Sequence, residues 1–151
     1  MEETVKKQNK EYTFAVGKRK EAVARIRLYQ SVKVGFTVAN LPAKKGDIFV
    51  NDKKAEDYFG GEAAKAAYTE PFRITNTEGK YLLTIRVEGG GPSGQLVAAI
   101  HGISRALSLI DAKNRQILKK KGFLTRDARI RERRKIGMGG KARRVKQSPK
   151  R

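Results

Sequence analysis

The final 33 residues, 119–151, carry 15 Lys or Arg against two acids, Asp127 and Glu132, and this segment limits what the rest of the chain can be. Large apolar side chains are few after Leu124, and glycines stand at 137, 139 and 140. Such a segment cannot offset its ordering entropy by burial, and its like charges favour extension. It needs a polyanion to order against. Any core must come from the first 118 residues, a length that suits one domain able to bury roughly two thirds of its unfolded surface.

Of the formal net charge of +20, 13 units belong to this tail, so the body is itself basic at +7. A single-sign field of that size concentrates nucleic acid or anionic membrane and speeds association with either. Membrane is the poorer fit. No run approaches the ~18 apolar residues of a spanning helix, and the tail lacks the apolar face of an interfacial one. The opening MEETVKKQNKEYTF has acids and no apolar stretch, so it reads as a solvated lead-in and not as a secretory or transit signal. There is no Cys and a single His, which argues against disulfides, thiolate metal sites and His-ligated metals. No cofactor is expected.

Strict alternation from Ala22 to Tyr29 predicts a strand with Ala22, Ala24, Ile26 and Leu28 on one face and Arg25 and Arg27 on the other. Lys18, Arg19 and Lys20 precede it, giving a continuous cationic strip that either solvates the sheet or contacts phosphate. Asp47–Asn51 predicts a short strand closed by an Asn51-Asp52 turn. Residues 55–68 predict one or two helical pieces broken at Gly60-Gly61, with Tyr58, Phe59 and Tyr68 in core packing. Strands are expected over 72–75 and 81–88 around the turn 76–79, the second with Tyr81, Leu83, Ile85 and Val87 on its covered face. Leu96, Ile100, Ile103, Leu107 and Ile110 recur at helical spacing and predict a helix over about 95–110, with His101, Ser104, Arg105 and Ser108 opposite. His101 is then a surface imidazole or a phosphate or ribose contact. A further helix, 112–121, ends at Gly122, with Ile117 and Leu118 reaching the core.

Gly89 to Gly94 joins a strand to a helix, and such a loop can aim backbone N–H groups at a phosphate. Gly90, Gly91 and Ser93 are the candidate contacts, although a tight turn that only glycine can make explains the loop equally well. No Lys-Ser or Lys-Thr follows the last glycine, and no ribose-binding acid lies where a dinucleotide fold requires one. Glu88 and Asp111 stand at opposite ends of the unit, with no nucleophile beside them. A small-molecule phosphotransferase is thus a poor third reading, behind a free-standing basic nucleic-acid binder.

In the tail, Thr125 is placed to cap a short helix over 125–135 with Asp127 in its first turn. Arg126, Arg129, Arg131, Arg133, Arg134 and Lys135 would surround that helix, which suits threading between phosphates of a folded RNA. A disordered tail that only aids solubility is the bland alternative. The glycines of IGMGG then act as a hinge before the extended arm KARRVKQSPKR.

The succession GKRKEAVARIRL, EDYFGG, VEGGGPSGQLVAAIHGISRAL, KKKGFLTRDARIRERRK and GGKARRVKQSPKR resembles the family of the ninth small-subunit ribosomal protein, in its bacterial form, over residues 12–151. The resemblance implies a two-layer α/β sandwich similar to the second domain of the fifth small-subunit protein, with a long basic C-terminal extension. The division would be a flexible segment 1–11, a globular domain 12–122 and an RNA-binding tail 123–151. It implies no enzyme activity and no membrane contact. The partners would be small-subunit ribosomal RNA, neighbouring proteins of the subunit head, and peptidyl-site transfer RNA, in a cytoplasmic or organellar ribosome. Lys18, Arg19, Lys20, Arg25, Arg27, His101, Arg105, the glycine loop, the cations of 126–135 and Lys141 would face ribosomal RNA. Arg143, Arg144, Lys146, Lys150 and Arg151 would approach the anticodon stem-loop. Two departures stand out: a longer connection around 32–45, and a tip, VKQSPKR, that lacks an aromatic.

Overall fold

The computed structural model describes residues 12–32, 36–38, 41–133 and 136. The flexible segment expected over 1–11 lies outside the described residues. Strands β1 (Tyr12–Arg19) and β2 (Ala22–Tyr29) form an antiparallel hairpin closed by Lys20-Glu21. A small ladder, β3 (Thr37–Val38) with β4 (Leu41–Pro42), interrupts the connection to β5 (Ile48–Val50), which turns at Asn51-Asp52 into β6 (Lys53–Lys54). Helices α1 (Ala55–Phe59) and α2 (Glu62–Ile74) then lead to β7 (Leu82–Glu88), followed by α3 (Pro92–Ile110) and α4 (Ala112–Lys120). The main sheet has the order β1-β2-β7-β5-β6, with only β5 and β7 parallel.

The helices cover one face of this sheet. Ala24, Ile26 and Leu28 of β2, Leu83, Ile85 and Val87 of β7, and Val50 of β5 meet Ile103 and Leu107 of α3, Tyr68 and Phe72 of α2 and Leu118 of α4 in one core. This is a mixed α/β architecture of two layers, as the alternation of β2 and β7 predicts. The other face carries a smaller cluster in which Ala43, Phe49 and Leu82 pack with Tyr29, Val32, Phe36 and Val38. The long connection after β2 thus folds over one end of the helix-free face.

Several expectations fail locally. Phe72–Thr75 is no strand: α2 continues through Pro71 to Ile74, because Tyr68 and Phe72, one helical turn apart, are both needed on the core side. The turn 76–79 consequently links a helix to a strand. Tyr12–Phe14 is not lead-in but the start of β1, with Tyr12 and Phe14 facing Tyr29 and Arg27. Lys18 and Arg19 therefore close β1 and only Lys20 lies in the turn. Ser104 is fully buried and satisfied by the Ile100 carbonyl at 2.8 Å, while Ile117 remains 39% exposed. Leu82, assigned to the open side of its strand, is buried there by the connection.

Candidate nucleic-acid interface

Beyond α4 the chain is held to the body step by step. The Phe123 amide donates to the Leu118 carbonyl at 3.0 Å, and Phe123 and Leu124 pack against the core. From Arg126 to Arg133 there is no regular structure, so the helix expected from Thr125 does not form over those residues. Cations on every side leave no apolar face to bury, and the local polar groups have other partners. Asp127 accepts from the Arg129 amide at 3.0 Å and from the Arg129 guanidinium at 2.7 Å, closing a turn on itself. Arg19, from the far end of β1, donates to the Arg129 carbonyl at 2.7 Å and pairs with the Asp127 carboxylate at 3.0 Å. The Arg129 hydrogen bonds, with Arg19 adding a smaller share, hold the Asp127 carboxyl well below the usual carboxylate range.

The outer edge of β1 meets side chains of α3. The Lys18 amide donates to His101 Nδ1 at 3.4 Å, and the Arg105 guanidinium donates to the Val16 carbonyl. The edge is thus occupied against pairing with a foreign strand. The Lys18 contact makes His101 Nδ1 an acceptor, which requires a neutral imidazole with its proton on Nε2. Burial, and then the nearby Arg105 charge, push the His101 pKa below its ordinary value, against a backbone hydrogen bond with Leu124. Arg19 grips residues 127 and 129, and His101 lies beside Leu124 and Arg126, where the tail leaves the body.

Of the strip expected on the sheet, Arg25 and Arg27 stand on the helix-free face, whereas Arg19 lies on the opposite side and is committed to Asp127 and Arg129. Arg25 and Arg27 are exposed on β2, and Arg86 of β7 lies opposite Arg25. Glu88 pairs with Arg25 at 3.2 Å and with Arg86 at 3.1 Å, and Arg27 lies 5.3 Å from the Tyr12 ring centre. Arg25, Arg27, Arg86, Glu88 and Phe14, 46% exposed, border an open cleft of about 600 Å³ beneath Phe36 and Val38. Phe14 and Arg86 were absent from the sequence candidates. The alternation of Phe14, Val16 and Lys18 is the sequence signal for Phe14, and it is lost when the lead-in is extended through Phe14.

The glycine loop is shorter than expected, since α3 begins at Pro92 and takes Ser93 and Gly94 into its first turn. Gly89 and Gly90 make the turn at φ 73° and 63°, and a Cβ on Gly89 would stand 2.6 Å from the Glu21 carbonyl oxygen. Gln95 donates to the Gly89 carbonyl at 3.1 Å and accepts from Tyr58, while Asn51 exchanges hydrogen bonds with Val87. Gly90, Gly91 and Ser93 remain exposed. Among the described residues no cluster of three or more His, Asp or Glu side chains could hold a metal ion, and no helix is long and apolar enough to cross a membrane.

Lys18, Lys20, Arg126, Arg131 and Arg133 are exposed. Arg134, Lys135, Lys141, Arg143, Arg144, Lys146, Lys150 and Arg151 lie outside the described residues. The pattern described for ribosomal protein S9/S16 matches residues 17–151. The chain is also 43% identical over 132 residues to the small ribosomal subunit protein uS9 of Maridesulfovibrio salexigens, an alignment covering 87% of this chain and 92% of that protein. A match running from the end of β1 through the basic tail, at that identity, is specific to one lineage of structural, non-enzymatic proteins. The chain belongs to the ribosomal protein S9/S16 family.

Proposed function

We propose that this protein is a structural constituent of the small ribosomal subunit that binds small-subunit ribosomal RNA in the head, with its C-terminal arm directed to the anticodon stem-loop of peptidyl-site transfer RNA. The observation that carries the reading is the tail's root: Arg126, Arg131 and Arg133 are exposed, in a segment fixed to the body yet without a core of its own. Cations so displayed match phosphates of a folded RNA. Lys18, Lys20, Arg25, Arg27 and the exposed loop residues Gly90, Gly91 and Ser93 extend the same surface over the body.

Arg19, His101, Arg105 and Arg129 also face this region, and each spends at least one polar group on the protein itself. Arg105 and Arg129 remain exposed and can still meet the RNA, whereas Arg19 and His101 are partly covered. The reading includes the division at residue 122, the kinship of the fold with the second domain of the fifth small-subunit protein, and a bacterial-type ribosome in the cytoplasm. The reading extends to the remaining cations of the arm, with Arg134, Lys135 and Lys141 meeting ribosomal RNA and Arg143, Arg144, Lys146, Lys150 and Arg151 meeting transfer RNA.

Mass spectrometry of purified small subunits tests the assembly. Presence of the chain at one copy per particle is expected, and its absence from them overturns the reading in favour of a free-standing nucleic-acid binder.

A further inference from the structure

The basic arm is joined to the body by a contact that bridges 108 residues of sequence. Arg19 pairs with Asp127 Oδ2 at 3.0 Å, and Arg129 pairs with the same oxygen at 2.7 Å. Two guanidinium groups therefore converge on one carboxylate. Without that negative charge between them they would repel, and the tail root would separate from the end of β1. Arg19 also donates to the Arg129 carbonyl, so backbone and side chain of the tail are both gripped. Exposure separates the partners: the Arg19 side chain is 16% exposed and that of Arg129 is 85%. A phosphate ligand needs free donors facing solvent, whereas Arg19 is largely covered and committed to the tail.

We propose that Arg19 and Asp127 are positioning residues that fix the direction in which the basic arm leaves the body, and that neither is an RNA contact. This inference rests on the RNA-binding reading above. An arm with a free root samples many directions, and only a fraction suits the folded RNA. Apparent affinity falls by that fraction, so a fixed root strengthens binding without adding a contact.

The sign of one substitution separates this from simple charge. Asp127→Asn raises the protein's net positive charge, so electrostatics alone makes RNA binding tighter. The positioning role requires the opposite, a weakening of roughly threefold to tenfold with an unchanged salt slope. Binding of the full chain to small-subunit ribosomal RNA, measured across a salt series, reads both. Arg19→Gln should weaken binding to a similar degree, again without the slope change of about 1 unit or less that loss of a phosphate contact produces.

A second readout needs no RNA. The chain has no Cys, so Ala66→Cys and Ile130→Cys, both at exposed positions, accept spin labels specifically. The distance distribution between them should be narrow in the parent and broadened by Asp127→Asn and by Arg19→Gln, with Arg19→Lys intermediate. The thermal midpoint of the body should stay put. An unchanged distribution, or tighter RNA binding by Asp127→Asn, overturns the proposal. If the parent itself fails to bind the RNA, the functional reading falls instead, and the label distances still decide whether the joint exists.

Discussion

Gly17 of β1 and Gly102 of α3 face each other with no side chain between them: a Cβ on Gly102 would stand 2.9 Å from the Gly17 amide nitrogen. The pair brings the helix down onto the edge strand. That approach lets His101 and Arg105, on neighbouring turns of α3, reach the Lys18 amide and the Val16 carbonyl. The tail's exit seam therefore depends on two missing side chains in the core.

Gly17→Ala should be strongly destabilising, because the new methyl group would overlap the Ala98 carbonyl and the Gly102 backbone, neither of which is a flexible side-chain end. Overpacking of this kind costs about 1–3 kcal/mol, and backbone obstruction belongs at the upper end. Urea unfolding of the full chain reads it as a lower midpoint at constant slope. An unchanged midpoint would show that α3 shifts freely over β1.

His101 gives the fold a dependence on pH. Its folded pKa lies below the ordinary 6.5 through burial and the Arg105 charge, with Arg126 adding to the effect. The unfolded chain then binds the proton more readily than the native one. Stability is complete above the unfolded value and falls as pH drops through it, by at most ~1.4 kcal/mol per pH unit for one proton. Asp127 and Glu56, both lowered, keep their contributions above the ordinary carboxylate range and lose them as pH falls through it towards their lower folded values. Unfolding free energies at pH 7.5 and 5.5 should differ in the parent and converge in His101→Gln, which keeps an acceptor for Lys18. An equal loss in both proteins would remove His101 as the cause.

Replacing Arg126, Arg131 and Arg133 together by Ala should weaken binding to small-subunit ribosomal RNA and reduce the salt slope by roughly 2–3 units, if each meets one phosphate. None of the three shows a hydrogen bond or ion pair to the body among the described residues, so the unfolding midpoint should be retained. A preserved salt slope would mean that these cations face solvent in the complex.

Deletion of Lys150 and Arg151 should leave subunit assembly intact while weakening transfer RNA at the peptidyl site, with a slope lower by roughly 1–2 units. Filter binding of transfer RNA to reconstituted subunits measures it. Equal affinity with and without the two residues would detach the tip from its assigned target.

The long period-2 segments and the α3 stripe were legible because each buries one face against a single layer. Ala22 to Leu28 and Leu83 to Val87 alternate in the structure as they do in the chain. The failures occur where the local pattern is ambiguous and the partner is distant. Phe72 and Ile74 read as a strand until Tyr68, one turn earlier, is seen on the same buried side of α2. Ser104 looks like a surface residue until β1 is drawn in by Gly17 and Gly102, and Leu82 until the connection after β2 covers it.

In the candidate interface, the exposed cations were recognisable by type, since a charge surplus has no core to enter. Phe14 and Arg86 were missed because their significance comes from lying across the sheet from Arg27 and Arg25.

Composition alone determined that the last fifth of the chain cannot fold by burial, because the entropy of ordering so many cations finds no apolar surface to offset it. Which cations turn outward was decided by tertiary structure. Arg19 and Arg126 are the same residue type in similarly basic stretches, yet Arg19 is drawn inward by a carboxylate and carbonyls that only the folded chain brings to the end of β1. An ion pair spanning 108 residues has no local signature, since its energy depends on a distance that exists only after β1, α3 and α4 have packed.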